Sequence, residues 1–504
     1  MTPSLTAPHF LKTKVMKQFL SKIILSGILV VAATSCNEDF LQKEPLNLLT
    51  DEAFFQTPEQ AVEATNAVYN MLRRWEVHVF SYVGMTDIVS DDADKGSTPT
   101  DANFLLEIDN LTHSAGNLGM ATVWNGFYRG IYRANTAIER IPAIEMDEAL
   151  KARLIAECRF LRAYYYFNMV RWFGDLPLIT KPLLPSEFEQ PRKPQAEVYA
   201  QIIADFEAAA AVLPETYPAA ETGRVTKGAA NGLLARVYLT LGDFQKTEQY
   251  ATAVINSGKY ALYPNYAKLF TPEGENSAES VFEVQTTSDP QGLGGSQYNE
   301  VQGVRGTPNL GWGFNRPSDN LVAAFEGTDP RREATVLYVG EVLPDGSAII
   351  EDSPEIINER FNQKAWAPQP LNGANGIGGG NIRILRYADV LLMAAEAMNE
   401  NGKSQDALTL VNQVRARARG ANPFILPNIT ITDKDQLRQR IWQERRVELA
   451  MEQHRWFDLK RQGRLAPVMQ AVGKAFVAGK HELFPIPQEE IDLSNGLLTQ
   501  NPLY

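Results

Sequence analysis

Cysteine is almost missing from this chain of 504 residues: there are two, Cys36 and Cys158. So thin a supply excludes a disulfide framework and any zinc site built on cysteines. Histidine is scarce as well. Beyond the first 35 residues only His78, His113, His454 and His481 remain, and none falls in a metal-ligand spacing such as His-Glu-x-x-His. Positive charge is in deficit, with 48 Lys and Arg against 60 Asp and Glu. That balance disfavours nucleic acid and anionic lipid surfaces as partners, and no nucleic acid is expected. After Ala33 no apolar run is long enough to cross a bilayer.

What is present begins with one short apolar run, Ile23 to Ala33. Lys12, Lys14, Lys17 and Lys22 precede it, and no acid occurs ahead of Cys36. A basic start, about a dozen apolar residues and a small-residue exit make a secretory signal, too short to span a membrane. Its ending, Ala33-Thr34-Ser35-Cys36, resembles the lipobox of bacterial lipoproteins. That resemblance implies cleavage ahead of Cys36 and acylation of its thiol and new amino group, as with palmitate. Residues 1–35 are read as the signal, with Met16 as an alternative start that gives a more typical length. The mature chain then carries 44 basic and 60 acidic side chains, so membrane attachment must come from the acyl chains. Cys158, in an apolar helical segment, reads as a small buried hydrophobe.

Helical periodicity dominates the remainder. Residues 51–74 read as a helix with Thr50 as its cap, and 149–173 as a helix apolar on two faces. In the latter, Phe160, Tyr164, Phe167 and Val170 form one stripe, and Leu161, Tyr165 and Trp172 a second. Such a helix belongs between other helices, ending at Gly174. Further helices are expected at 195–213, 226–241, 244–257, 385–400, 404–419 and 434–462. Ala235, Tyr238, Gly242, Phe244, Thr247, Ala251 and Val254 recur, 160 residues later, as Ala395, Met398, Gly402, Ser404, Ala407, Val411 and Val414. The pattern resembles the tetratricopeptide hairpin, with a glycine in the turn. Between the copies, 271–380 is rich in Gly, Pro, Asn and Ser, with strand-like pieces at 281–285 and 335–343. A long irregular insertion on a helical scaffold predicts a binding surface. Two regions follow, 36–270 and 271–504, within one compact unit.

Sites of chemistry are few. Glu444, Glu448 and Glu452 fall at i, i+4 spacing in the last helix, which could suit a retaining glycosidase. Arg440, Arg445, Arg446 and Arg455 are interleaved with them and would hold their pKa values down, whereas a general acid needs a raised one. No catalytic residue is assigned. The Gly376–Gly380 stretch lacks the spacing of a phosphate loop. Asp91, Asp92 and Asp94 lack a calcium-loop spacing and read as a solvated acidic loop, with a casual calcium ion the one cofactor admitted.

Four sequence blocks and the start of the mature chain then carry a resemblance. They are FLRAYYYFNMVRWFGDLPLI (160–179), RYADVLLMAAEAMNENG (386–402) running into VNQVRARA (411–418), ERRVELAMEQHRWFDLKRQG (444–463), and LFPIPQEEI (483–491) with QNPLY (500–504). With SCNEDFLQKEP (35–45), they run in order across nearly all of the mature chain. The chain resembles the SusD/RagB family of surface glycan-capture lipoproteins. The resemblance implies a mainly α fold, a superhelix of tetratricopeptide-like hairpins with irregular insertions. It further implies an oligosaccharide ligand, no enzymatic step, and a SusC-like TonB-dependent β-barrel transporter as partner in the outer membrane. Glu38-Asp39 after Cys36 resembles the signal that sends such lipoproteins to the cell exterior. A cell-surface glycoside hydrolase and a purely structural subunit of the transporter complex are the competing readings. Sugar rings stack on flat aromatic faces while their hydroxyls need polar partners. The candidates are therefore aromatics in polar segments, Trp75, Tyr82, Tyr298, Trp312, Phe314 and Trp366, with Asp87, Asn315, Arg316 and Asn320 as polar neighbours.

Overall fold

Caps and small residues decide where the helices begin and how closely they pack. The computed structural model describes residues 54–288, 293–368 and 378–504. Helix α1 (Pro58–Asn70) starts at Thr57, whose hydroxyl accepts from the Gln60 amide while the Gln60 side chain accepts from the Thr57 amide. The expected cap, Thr50, lies outside the described residues, as does Cys36. Helix α2 (Leu118–Arg140) was not anticipated from the sequence. Its Gly119, Gly126 and Gly130 dilute the apolar signal and lower helix propensity. Gly126 has a reason to be there: a Cβ would stand 2.6 Å from the carbonyl oxygen of Glu76.

Helix α3 (Glu148–Phe173) is capped by Asp147, which accepts from Leu150 N at 2.8 Å, and stops at Gly174 with φ of 73°. It packs against α1, α2 and α4 (Gln195–Val212), so both of its apolar stripes are buried. Cys158 is buried on α3 and its thiol is pushed up to about 12 by burial, an inert packing group.

The two related hairpins are α5 (Lys227–Leu241) with α6 (Phe244–Asn256), and α7 (Tyr387–Glu400) with α8 (Ser404–Arg419). Gly242 and Gly402 close their turns at φ of 75° and 81°. Far apart in sequence, they are neighbours in space: α6 packs on α7, and Asn401 Nδ2 donates to Glu248 at 2.7 Å. The helical stack therefore continues across the insertion, which loops out between adjacent units.

Among the described residues eight short strands form antiparallel pairs only: β1 (Ala93–Gly96), β2 (Leu176–Pro177), β3 (Arg192–Lys193), β4 (Ser280–Val284), β5 (Phe314–Pro317), β6 (Val336–Tyr338), β7 (Arg360–Asn362) and β8 (Ile382–Arg386). The β4–β8 ladder closes the neck of the insertion, and β6–β7 lies within it. The fold is mainly α, a stack of tetratricopeptide-like hairpins with long irregular insertions. Residues Thr57–Tyr504 form one compact unit.

The last expected helix is interrupted. It divides into α9 (Lys434–Glu448) and α10 (Arg455–Arg461), with Met451 and Gln453 at φ of 61° and 64° between them. The cause is a competing partner: Gln453 N donates to Asp87 Oδ1 at 3.0 Å instead of continuing a helix. Glu452 is thereby taken off the helical ladder.

Trp172, fully buried at the end of α3, donates its indole N–H to Met85 O at 3.1 Å. Trp172→Ala should lower unfolding free energy by about 3–5 kcal/mol in a denaturant titration. An unchanged midpoint would contradict this packing.

Candidate functional site

The two irregular regions meet in the β1–β5 ladder, where Gly96 pairs with Phe314 and Asp94 with Arg316. That pairing sets Trp312, which lies just ahead of β5. Its amide donates to Glu300 O at 2.8 Å, and its carbonyl accepts from Ser97 Oγ at 2.6 Å. Trp75 arrives from the other side, at the start of the short helix Trp75–His78 that rests on Gly126 of α2.

Both tryptophans are half-buried, and their ring centroids are 5.8 Å apart at an inclination of 58°. Phe80 is the hub beneath them, 5.1 Å from Trp75 and 5.8 Å from Trp312. Phe314 at 4.7 Å and Phe104 at 5.3 Å complete the cluster around it. At its margin Asp101 accepts from Lys95 Nζ at 2.8 Å and from Arg305 Nη1 at 2.6 Å. The result is an aromatic face with a hydrophobic floor and polar edges, chemistry suited to the apolar side of a sugar ring.

Beneath this face lies a buried polar knot. Asp87 accepts from Gln453 Nε2 at 2.8 Å and from Asn315 Nδ2 at 3.2 Å, while Asn315 also donates to Gln302 Oε1 at 2.8 Å. Gln302 Oε1 accepts in addition from Asn362 Nδ2 at 2.9 Å, and Gln453 Nε2 donates to Tyr298 OH at 3.1 Å. Burial raises the Asp87 carboxyl to about 6 despite these bonds.

Of the ten sequence candidates, Trp75 and Trp312 are brought together on the surface, and Phe314 lies buried below them. Asp87, Tyr298 and Asn315 are internal members of the knot. Tyr82 is buried between His78 at 4.8 Å and Trp172 at 5.6 Å. Arg316 pairs with Asp94 at 2.7 Å, and Asn320 accepts from Arg446 at 2.5 Å. Trp366 is 7 % exposed, packed with Val304, Leu337, Leu343, Ile350 and Phe361 in a satellite core of the insertion. Phe80 and Phe104, which complete the ring cluster, carry no sequence signal of a site, because a phenylalanine within a short helical segment looks like core.

Two expectations need correction. Asp91 and Asp92 are not a solvated loop but buried, held by Arg455 at 2.7 Å and Arg446 at 2.6 Å. Among the described residues no cluster of three or more His, Cys, Asp or Glu is arranged to hold a metal ion. Glu444, Glu448 and Glu452 are indeed bound to cations, but not to the interleaved arginines. Their partners are Arg331, Lys364, Arg386, Arg415 and Arg417, from other elements. Although burial opposes ionisation, Arg417, Arg386 and Arg331 hold Glu448 down to about 2.

Residues 278–504 match the model of the SusD family, and residues 39–239 match a SusD-like model described as starch-binding associating with outer membrane. A SusD-like protein of Formosa agariphila is 31 % identical over 95 % of this chain and 98 % of its own length. The chain belongs to the SusD family. Among solved structures of SusD-family proteins, a laminarin binding SusD-like protein has 31 % identity and a TM-score of 0.77, covering 89 % of this chain and 100 % of that one. Surface glycan-binding protein A from Bacteroides thetaiotaomicron, in complex with laminarihexaose, has 26 % identity and a TM-score of 0.76, covering 88 % and 100 %.

The raised Asp87 fixes the sign of one pH effect. Its contribution to stability is fully present below the ordinary carboxylate range near pH 4 and is lost as pH rises through about 6. Asp87→Asn cannot ionise, so its stability relative to the parent should rise across that window, by up to about 3 kcal/mol. A difference between the two proteins that stays constant from pH 4 to 7 would refute the assignment.

Proposed function

We propose that this SusD-family chain captures an oligosaccharide on the Trp75–Trp312 face and passes it to a TonB-dependent β-barrel transporter in the outer membrane. The observation that carries the reading is the convergence of two partly exposed indoles from separate irregular segments onto the single hub of Phe80. A closed core covers its indoles on all sides, whereas these two keep part of their surface accessible, as sugar stacking requires. Indoles inclined at 58° form a bent platform, which suits a glycan chain that curves better than a flat ribbon. The similarity to a laminarin binding protein and to a laminarihexaose complex makes laminarin the first ligand to try.

In this proposal the mature protein is tethered by acylated Cys36 and faces the cell exterior. It catalyses nothing. The glutamates that invited a glycosidase reading are buried and occupied by arginine or lysine, which leaves none free for general acid catalysis. Incubation with laminarin should release no new reducing ends, and their appearance would favour the hydrolase reading. A structural subunit without glycan affinity would instead co-purify with the transporter and bind no sugar.

Calorimetry with laminarin tests the site itself. Trp75→Ala and Trp312→Ala should each weaken binding about tenfold or more, with little loss of thermal stability. Trp366→Ala should behave in the opposite way, losing stability through a core cavity of about 3–5 kcal/mol while any remaining folded protein binds normally. Full affinity in both surface variants would remove this face from the ligand site.

A further inference from the structure

One buried cation in the helical frame lacks a counter-charge. The buried arginines among the described residues each meet a carboxylate within 4.0 Å, with the exception of Arg171 on α3. Its own partners are neutral: Nε donates to Phe167 O at 3.2 Å and Nη2 to Asn168 Oδ1 at 2.6 Å. The guanidinium is sandwiched between rings, 3.7 Å from the centre of Phe457 and 4.2 Å from that of Phe167. A second cation worsens the imbalance. Lys460 Nζ donates to the Arg171 carbonyl at 2.6 Å and likewise has no carboxylate within reach.

Arg171 shares a small cavity with Arg236, Arg383 and His454. Its volume, about 10 Å³, gives room for the centre of one water-sized particle. The Nε atom of Arg236 is buried without a hydrogen-bond partner, as is that of Arg383, which does lie 3.8 Å from Glu283 Oε1. Arg236 does reach Asp389, but that carboxylate is shared with Arg445. The single acid lining the cavity, Glu452, has its two oxygens occupied by Arg386 and Lys364. A water molecule would satisfy donors here yet leave the charge uncompensated, and a buried unpaired charge costs several kcal/mol. Burial, with Arg236 adding to it, draws Arg171 down to about 10. Burial beside Arg171 draws Lys460 down to about 7.

We propose that this cavity holds one small inorganic anion of chloride size, bound between Arg171 and Arg236. The ion neutralises a spot where α3, α5, β8 and the start of α10 converge, so it acts as a structural ion of the frame. The site is separate from the glycan face and does not depend on that reading.

The mature protein is melted in sodium chloride and in sodium gluconate of equal ionic strength, the second anion being too large to enter. The midpoint should be higher in chloride by about 2 °C or more. In Arg171→Met, which keeps an unbranched apolar chain between the two rings, that difference should vanish. Equal midpoints in the two salts for the parent count against the site. Should the variant not fold, crystals of the parent grown in bromide decide the matter. An anomalous peak within hydrogen-bonding distance of Arg171 and Arg236 upholds the site, and a bromide map without one overturns it, whatever the melting data.

Discussion

A buried ionic clasp fixes the insertion to the helical frame, and the position of the aromatic face depends on it. Arg331 of the insertion binds Glu444 at 2.7 Å and Glu448 at 3.1 Å on α9. Arg386, at the neck, binds Glu279 at 2.5 Å, Glu448 at 3.1 Å and Glu452 at 2.7 Å. Arg415 and Arg417 of α8 reach Glu444, Glu448 and Glu279, and Lys364 of the insertion reaches Glu452 at 2.7 Å. Such a network stabilises little over a well-packed apolar core, but removing one member strands the others at about 3–5 kcal/mol. Its physical effect is registration. With each carboxylate shared by two or three cations, the insertion has one low-energy seat on α8 and α9.

Registration matters because the aromatic face is composite. Trp75 comes from the segment after α1, Trp312 from the insertion, and the backbone that holds Trp312 is contributed partly by Ser97 beside β1. A shift of the insertion by one residue would pull β5 out of pairing with β1 and separate the indoles. The Asp87 knot adds a second fastening: from the first irregular region Asp87 accepts both from the turn at Gln453 and from Asn315, which reaches on to Gln302 of the insertion. That turn costs α9 its continuation, a local loss that the hydrogen bonds to Asp87 offset.

Much of the frame was legible in the sequence, because periodicity and capping are local. The two-faced stripe of α3 placed it correctly between helices, and the glycines at 242 and 402 marked equivalent turns. Helix α2 was hidden by the small residues that let it pack closely. The site was legible only in outline. Tryptophan in a polar segment signalled a surface role for Trp75 and Trp312, yet the same signal was given by Trp366, whose insertion carries a small core of its own. Asp91 and Asp92 looked solvated because their arginines, 446 and 455, lie more than 350 residues away in the chain. The ionised state of Glu448 followed from arginine abundance, but its actual partners required the tertiary fold.

In the proposed function a helical stack, clasped to a looped-out insertion, offers two inclined indoles to a glycan. A crystal structure of the protein with a laminarin oligosaccharide is its most direct test. Sugar rings should lie against Trp75 and Trp312, with the β1–β5 register unchanged. Sugar bound elsewhere on the molecule, with both indoles uncovered, would contradict it.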